Sequence, residues 1–165
     1  MRPVYFFNPS YDERNINFSN LGLVSIASHL KRKGIPAYVY MNYLDPAVTR
    51  DKDYDLVLED VIRQKPKYIG ISCMTTQYMK AMDLSRRIKE LSPDTMVVWG
   101  GHHVKAYYKD ASWDDLVYYY ASGWGEVAAE CLYGGSFPVI IKAQSIFNEP
   151  LDFSTVINYS PVERS

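Results

Sequence analysis

The stretch KYIGISCMTTQYMKAMDLSRRIKELSPDTMVVWGGHH, residues 67–103, decides the fold because it predicts a strand, a helix and a second strand. Residues 67–72 are apolar without alternation, which is typical of a strand buried on both faces of a parallel sheet. Residues 95–99 are similar, and a helical crossover between two strands makes them parallel. Residues 76–91 carry apolar side chains at helical spacing: Met79, Met82, Leu84, Ile88 and Leu91.

The loops that follow these two strands project from the same edge of the predicted sheet. They are residues 73–76 (CMTT) and residues 100–103 (GGHH). In doubly wound sheets, ligands lie outside the carboxyl ends of the strands. Both loops therefore belong to the candidate site.

The rest of the chain continues the alternation of strands and helices. Further strands are predicted at residues 2–8, 37–41 and 116–121, and further helices at residues 21–33, 55–64 and 126–133. Gly34 is predicted to end the first of these helices. Five strands alternating with four helices predict an α/β fold: a three-layer sandwich with a flavodoxin-like, Rossmann-like five-stranded parallel sheet in the order 2-1-3-4-5. Residues 1–135 are predicted to form this domain. Residues 136–165, with a short strand at 139–141, are predicted to be a C-terminal strand and linker arm.

Length, charge and composition exclude several classes of protein. The chain has 165 residues and a formal net charge of -1, so charge favours neither nucleic acid nor a membrane as a partner. No leader and no apolar run of membrane-spanning length occurs, so we expect a cytoplasmic protein. The two cysteines predict reduced thiols, and with three histidines at no ligand spacing they predict no metal-ligating residues.

The common ligands of such a fold are excluded by the turn after the first strand. Asn8-Pro9-Ser10-Tyr11 contains no glycine, which argues against a dinucleotide site and a Walker loop, and it offers little to a flavin phosphate. A phosphoacceptor domain needs acids after the first and third strands, where this chain has Asn8 and Ser72. What remains is a set of small and polar residues after strands three, four and five.

Five motifs, in this order, resemble the N-terminal cobalamin-binding domain of cobalamin-dependent radical S-adenosylmethionine enzymes. They are residues 21–34 (LGLVSIASHLKRKG), residues 69–75 (IGISCMT), residues 97–103 (VVWGGHH), the turn at residues 123–126 (GWGE), and the connector at Leu151-Asp152. The family usually reads Gly-Glu-Gly-Glu at the fourth motif, so Trp124 departs from the pattern. The Cys-x-x-x-Cys-x-x-Cys run of the radical enzymes is absent, so the resemblance implies a module of a longer enzyme or a stand-alone relative.

The resemblance implies a cofactor-binding set and no catalytic residue. Glycines would let the backbone approach the corrin and its nucleotide tail, hydroxyls would bond the tail, and the first loop would face the corrin. The set is Asn8, Pro9, Ser10, Ser72, Met74, Thr75, Thr76, Gly100, Gly101, His103, Gly123, Trp124, Gly125 and Glu126. No Asp-x-His-x-x-Gly motif occurs, so cobalamin would be base-off without a histidine ligand. S-adenosylmethionine and a [4Fe-4S] cluster would belong to a radical domain, in cis or in trans, of a methyltransferase-type enzyme.

Two other interpretations stay open. An interaction domain that keeps the fold without the cofactor is supported by Trp124, and a small α/β enzyme would use His103 and Cys73. Local roles compete with ligand binding as well. Ser72 and Thr75 suit a helix cap, and Met74, Met79 and Met82 suit packing in the core and in a lid. His29 is expected at the surface.

Overall fold

A computed structural model describes residues 1–9, 21–41, 58–101, 103–104, 119–120, 125–134 and 150–158. Its centre is a parallel sheet of strands β1 (Val4–Phe7), β2 (Ala37–Met41), β3 (Tyr68–Ser72), β4 (Met96–Gly100), β5 (Tyr119–Tyr120) and β6 (Val156–Asn158). The strand order is β5-β4-β3-β1-β2-β6, and all the pairings are parallel. The predicted parallel, flavodoxin-like sheet is confirmed in its order β2-β1-β3-β4.

Helices cover both faces of this sheet. The described helices are α1 (Leu21–Arg32), α2 (residues 58–63), α3 (Tyr78–Leu91) and α4 (Gly125–Tyr133). Two short 3-10 turns, Thr75–Gln77 and Phe153–Thr155, precede α3 and β6. Gly34 follows α1 with φ 78°, as the sequence predicts for the residue after a helix. Each described helix is too short or too polar to cross a membrane.

The alternation of side chains along the strands divides the core into two layers. Val4 and Phe6 of β1 pack with α1 and α4 on one face, whereas Tyr5 and Phe7 pack with α2 and α3 on the other. Successive residues of a strand point to opposite faces, so a run without polar residues is buried on both sides. The predicted three-layer sandwich is therefore present.

The sixth strand is a feature that the sequence did not predict. Residues 156–158, predicted as part of the C-terminal arm, pair in parallel with β2 and widen the sheet to six strands. The run preceding β6 is attached to α1: Pro150 O accepts from Arg32 Nη1 at 2.7 Å, and Asp152 N donates to Ser28 Oγ at 2.7 Å. The strand predicted at residues 139–141 lies outside the described residues, and the domain boundary at residue 135 stays a prediction.

Buried polar side chains attach the helices to the sheet beneath the candidate site. Trp99 Nε1 of β4 donates to Ser85 Oγ of α3 at 2.8 Å, and Tyr68 Oη of β3 donates to Ala129 O of α4 at 3.0 Å. Burial and a hydrogen bond together fix an aromatic residue in orientation as well as in depth. Trp99 thus fixes α3 to the carboxyl end of β4, and Tyr68 fixes α4 to the amino end of β3.

Candidate functional site

The strand register brings the predicted loops side by side at one edge of the sheet. Phe7 is opposite Ile71, and Ser72 is opposite Gly100. Asn8, the turn after Ser72 and the turn after Gly100 therefore begin at neighbouring points. The parallel arrangement that was predicted from the crossover is what assembles them.

Backbone hydrogen bonds join the turns after β3 and β4. Cys73 N donates to Gly100 O at 2.8 Å, and His103 N donates to Cys73 O at 3.0 Å. Gly101, between them, has φ 98°, and a Cβ there would lie 2.8 Å from Cys73 O and 3.2 Å from Ser72 Oγ. Only glycine suits this position, because both the backbone angle and the close approach exclude a side chain.

His103 connects the same two turns through its ring. Nδ1 of His103 is 3.1 Å from Thr75 Oγ1, and the ring lies against Tyr78, with 5.0 Å between centroids. The side chain is only 7% exposed. His103 therefore holds the turn after β4 against the beginning of α3, and its ring is not presented at the surface as a metal ligand.

Gln77 is a site residue that the sequence analysis missed. Its Nε2 donates to Asn8 Oδ1 at 3.2 Å, and its Oε1 accepts from Met74 N at 3.1 Å. One carboxamide thus joins the loop after β1 to the loop after β3. Its position shortly after Ser72, at the predicted edge of the sheet, could have marked it as a site residue. A single glutamine at the start of a helix, however, belongs to no recognisable sequence motif.

Cys73 does not have the properties of a nucleophile. The residue is fully buried, and burial raises the pKa of its thiol from 9.0 to about 12. The thiol therefore stays protonated at neutral pH, and a protonated thiol is a poor nucleophile. This removes the support for a small enzyme that uses Cys73 and His103.

Two methionines at this edge are exposed, so they do not pack in the core, which was one of the two positions predicted for them. Met74 is 51% exposed and Met79 is 75% exposed, whereas Met82 of α3 is partly buried against the core. The core position predicted for Met79 is wrong because α3 begins at Tyr78, so Met79 lies in the first turn on the solvent side. The edge therefore offers apolar side chains to a ligand or partner.

Gly125 and Glu126 pack against α1. A Cβ at Gly125 would lie 2.4 Å from Ile26 Cδ1, so glycine permits the close approach of α4 to α1. Glu126 is 8% exposed, and its Oε1 accepts from Ser25 Oγ at 2.6 Å. Both residues thus have structural contacts with α1 in addition to any contact with a ligand.

His29 is buried between the same two helices, so its predicted surface position is wrong. It is 5% exposed, and its Nε2 lies 2.7 Å from Glu130 Oε2. The helical pattern placed His29 beside the apolar stripe of α1, but it did not reveal that α4 packs on that side. The remaining predicted site residues, Ser10, Gly123 and Trp124, and the side chain of Thr76, lie outside the described part of the structure.

A comparison with protein-family models assigns the chain to a family. The B12 binding domain model matches residues 13–132. The chain belongs to the B12-binding domain family. Its membership confirms the predicted resemblance to a cobalamin-binding domain, and the parallel sheet with its loops at one edge is the fold expected of such a domain.

A curated relative of this B12-binding domain is a much longer protein. The chain is 28% identical over 122 residues to the anaerobic magnesium-protoporphyrin IX monomethyl ester cyclase of Rubrivivax gelatinosus. The match covers 69% of this chain and 21% of the cyclase. The chain thus spans about a fifth of the length of that relative.

The side chains at the edge of this B12-binding domain suit a neutral, amide-rich macrocycle. No Asp, Glu, Lys or Arg occurs at residues 8–9, 72–79, 100–101 or 103–104. Hydroxyl and carboxamide groups, exposed methionines and the glycine turn meet there. Within the described residues, no group of three or more His, Cys, Asp or Glu side chains forms a metal site. The neutral donor set therefore fits an amide-rich organic cofactor.

Proposed function

We propose that this B12-binding domain holds cobalamin at the carboxyl edge of its sheet, as a cytoplasmic module of a larger enzyme. The observation that carries the proposal is the junction of the turns after β3 and β4, where Gly101 touches the Cys73 backbone and excludes any side chain. Glycine lets the two turns lie in direct contact, and this contact brings the neutral donors of both turns to the edge where a bulky ligand would bind. The bound cobalamin would supply a cobalt centre that the protein itself does not build.

The proposed contacts divide by chemistry. The hydroxyls would bond the nucleotide tail, and the residues after β1 would meet the corrin together with Met74, while the glycine turns keep the approach clear. Thr75 is already within 3.1 Å of His103, so the two would act as one unit. The full proposed set is Asn8, Pro9, Ser10, Ser72, Met74, Thr75, Thr76, Gly100, Gly101, His103, Gly123, Trp124, Gly125 and Glu126.

We further propose that the cobalt receives no histidine ligand from this domain. The burial of His103 and its contacts with Thr75 and Tyr78 support this, as does the position of His29 between α1 and α4. A buried imidazole could reach the cobalt only if its side chain left these contacts. The cofactor would then be base-off, with its own nucleotide in the tail slot.

The parent enzyme is proposed to be a radical S-adenosylmethionine enzyme, with methyl transfer as its chemistry. With only two cysteines, this chain cannot ligate a [4Fe-4S] cluster alone, so that cluster and S-adenosylmethionine would be bound by a partner domain in cis or in trans. The small share of the cyclase that the chain covers supports a modular parent. Because this relative is a cyclase, ring formation is an alternative to methyl transfer as the proposed chemistry of the parent enzyme.

A second candidate is an interaction domain that has kept the fold and lost the cofactor. The observation that favours it is that polar groups of the edge already bond to one another: Asn8 with Gln77, and Thr75 with His103. A domain of this kind would present Met74 and Met79 to another protein, since both side chains are exposed.

Titration of the purified chain with hydroxocobalamin, followed in the visible spectrum, tests the proposal. A stoichiometric end point with a base-off spectrum is the expected result. Circular dichroism on the same sample checks that the chain is folded. A folded chain that leaves the hydroxocobalamin spectrum unchanged and gives no calorimetric heat contradicts cofactor binding and favours the interaction domain.

A further inference from the structure

The carboxamides of Asn8 and Gln77 form a pair that bridges two loops of the candidate site. Gln77 donates to Asn8 Oδ1 and accepts from the backbone of Met74, so both of its polar ends are oriented by the protein. Asn8 Nδ2 makes no hydrogen bond to the residues that the structure describes. Among the described residues, both N–H donors of Asn8 are thus available to a ligand, on a side chain whose carbonyl oxygen accepts from Gln77.

The described stretches that meet at this pair carry no formal charge. The stretches 8–9, 72–79 and 100–101 contain no acidic or basic residue, and the side chains of Asn8 and Gln77 are both half-buried. A carboxylate brought to such a place loses hydration without gaining a cation, which is costly. A carboxamide loses less, and it can both donate to and accept from another carboxamide.

We infer that the Asn8–Gln77 pair selects corrins whose peripheral side chains are carboxamides over corrins with free carboxylates. The inference rests on the proposed function, because it needs a corrin at this edge. It deepens that function by naming the feature of the ligand that the edge recognises. Gln77, which the resemblance did not supply, becomes a specificity-determining residue through this pair.

Two corrins without a nucleotide tail separate amide recognition from tail binding. Cobinamide carries side-chain amides, whereas cobyrinic acid carries carboxylates at the same positions. We expect the wild-type chain at pH 7.5 to bind cobinamide at least about tenfold more tightly, since an uncompensated group at a polar contact costs about a factor of ten or more. Equal affinities for the two corrins would overturn the inference.

A matched pair of variants tests the residue. Gln77→Glu replaces a donor with a carboxylate at the pair, and Gln64→Glu makes the same change in an exposed turn before β3, at the opposite edge. We expect Gln77→Glu to weaken cobinamide binding about tenfold and Gln64→Glu to leave it unchanged. Gln77→Ala, which adds no charge, provides a second test if the glutamate variant unfolds in a thermal scan.

The outcomes distinguish this inference from the proposed function. Binding of hydroxocobalamin by the wild type without discrimination between cobinamide and cobyrinic acid overturns the amide selection alone. Equal effects of the substitutions at Gln77 and Gln64 overturn it as well. A wild-type chain that binds none of the three corrins overturns the proposed function, and the selection with it.

Discussion

Gly101 in the turn after β4 and Gly125 at the start of α4 are two glycines that the sequence analysis assigned to the same purpose, but the structure uses them differently. Gly101 has φ 98° and would place a Cβ against the Cys73 backbone, so it belongs to the carboxyl edge. Gly125 would place a Cβ against the end of the Ile26 side chain, so it belongs to the α1–α4 interface. A glycine in a motif therefore indicates close packing, but only the tertiary structure shows which atoms it packs against.

The largest expected effect follows substitution of Gly101. Gly101→Ala should lower the free energy of unfolding by about 3 kcal/mol, because it combines an unfavourable φ with overlap on backbone atoms that cannot move aside. Denaturant unfolding measures the loss. Binding of hydroxocobalamin should also weaken, since the turn after β4 would shift away from β3.

Gly34→Ala is the matched control for Gly101→Ala. Gly34 also has a positive φ, 78°, but a Cβ there would meet nothing within 4 Å. We expect a loss of about 1 kcal/mol from the backbone angle alone, with hydroxocobalamin binding unchanged. Equal losses of stability and binding in the two variants would contradict the assignment of Gly101 to the site.

An intermediate effect is expected at Gly125. Gly125→Ala should cost about 1 kcal/mol through overlap with Ile26 Cδ1, a flexible side-chain end that moves more readily than a backbone atom. Ile26→Val removes that atom, so the double variant should recover the loss in a double-mutant cycle of unfolding free energies. The comparison of the two glycines fails if Ile26→Val gives no recovery of the unfolding free energy.

The smallest expected effect is a pH dependence of stability that comes from Asp152. This residue lies in the connector before β6, which also packs on α1. Hydrogen bonds from Lys31 and then from Ser154 lower the pKa of Asp152 from 3.8 to about 2. Because the pKa is lower in the folded chain, the charged carboxylate stabilises the fold above about pH 4, and this contribution disappears as the pH falls towards 2. The effect is small because both Lys31 and Asp152 are substantially exposed to solvent.

Asp152→Asn isolates this contribution, because asparagine can still accept from Ser154 N but carries no charge. Its melting temperature should lie slightly below that of the wild type at about pH 6, and the two should converge near pH 2. Thermal scans across this range measure the difference. A difference that persists at the acid end would show that the charge on Asp152 is not its source.

Patterns of sequence predicted those features that depend on near neighbours in the chain. The apolar run of β3 and the helical spacing of α3 identified their elements, although α3 begins two residues later than predicted. Gly34 correctly marked the end of α1. The parallel order β2-β1-β3-β4 followed from the crossover connections, and with it the edge at which the site lies.

Contacts between distant segments escaped the same reasoning. His29 meets Glu130 across 101 positions of the chain, and Gln77 meets Asn8 across 69. The strand β6 was not predicted because three residues are too few to show a periodicity. Its partner in the sheet, β2, also lies far earlier in the chain.

By itself, the sequence determined the class of fold, the direction of the strands and the edge that gathers small and polar residues, because hydrophobic periodicity and crossover length are local properties. Tertiary structure alone decided which glycine clears the edge, which histidine is buried between helices and which carboxamides meet. Those choices depend on distances between side chains far apart in the chain, and no local pattern encodes a distance of that kind.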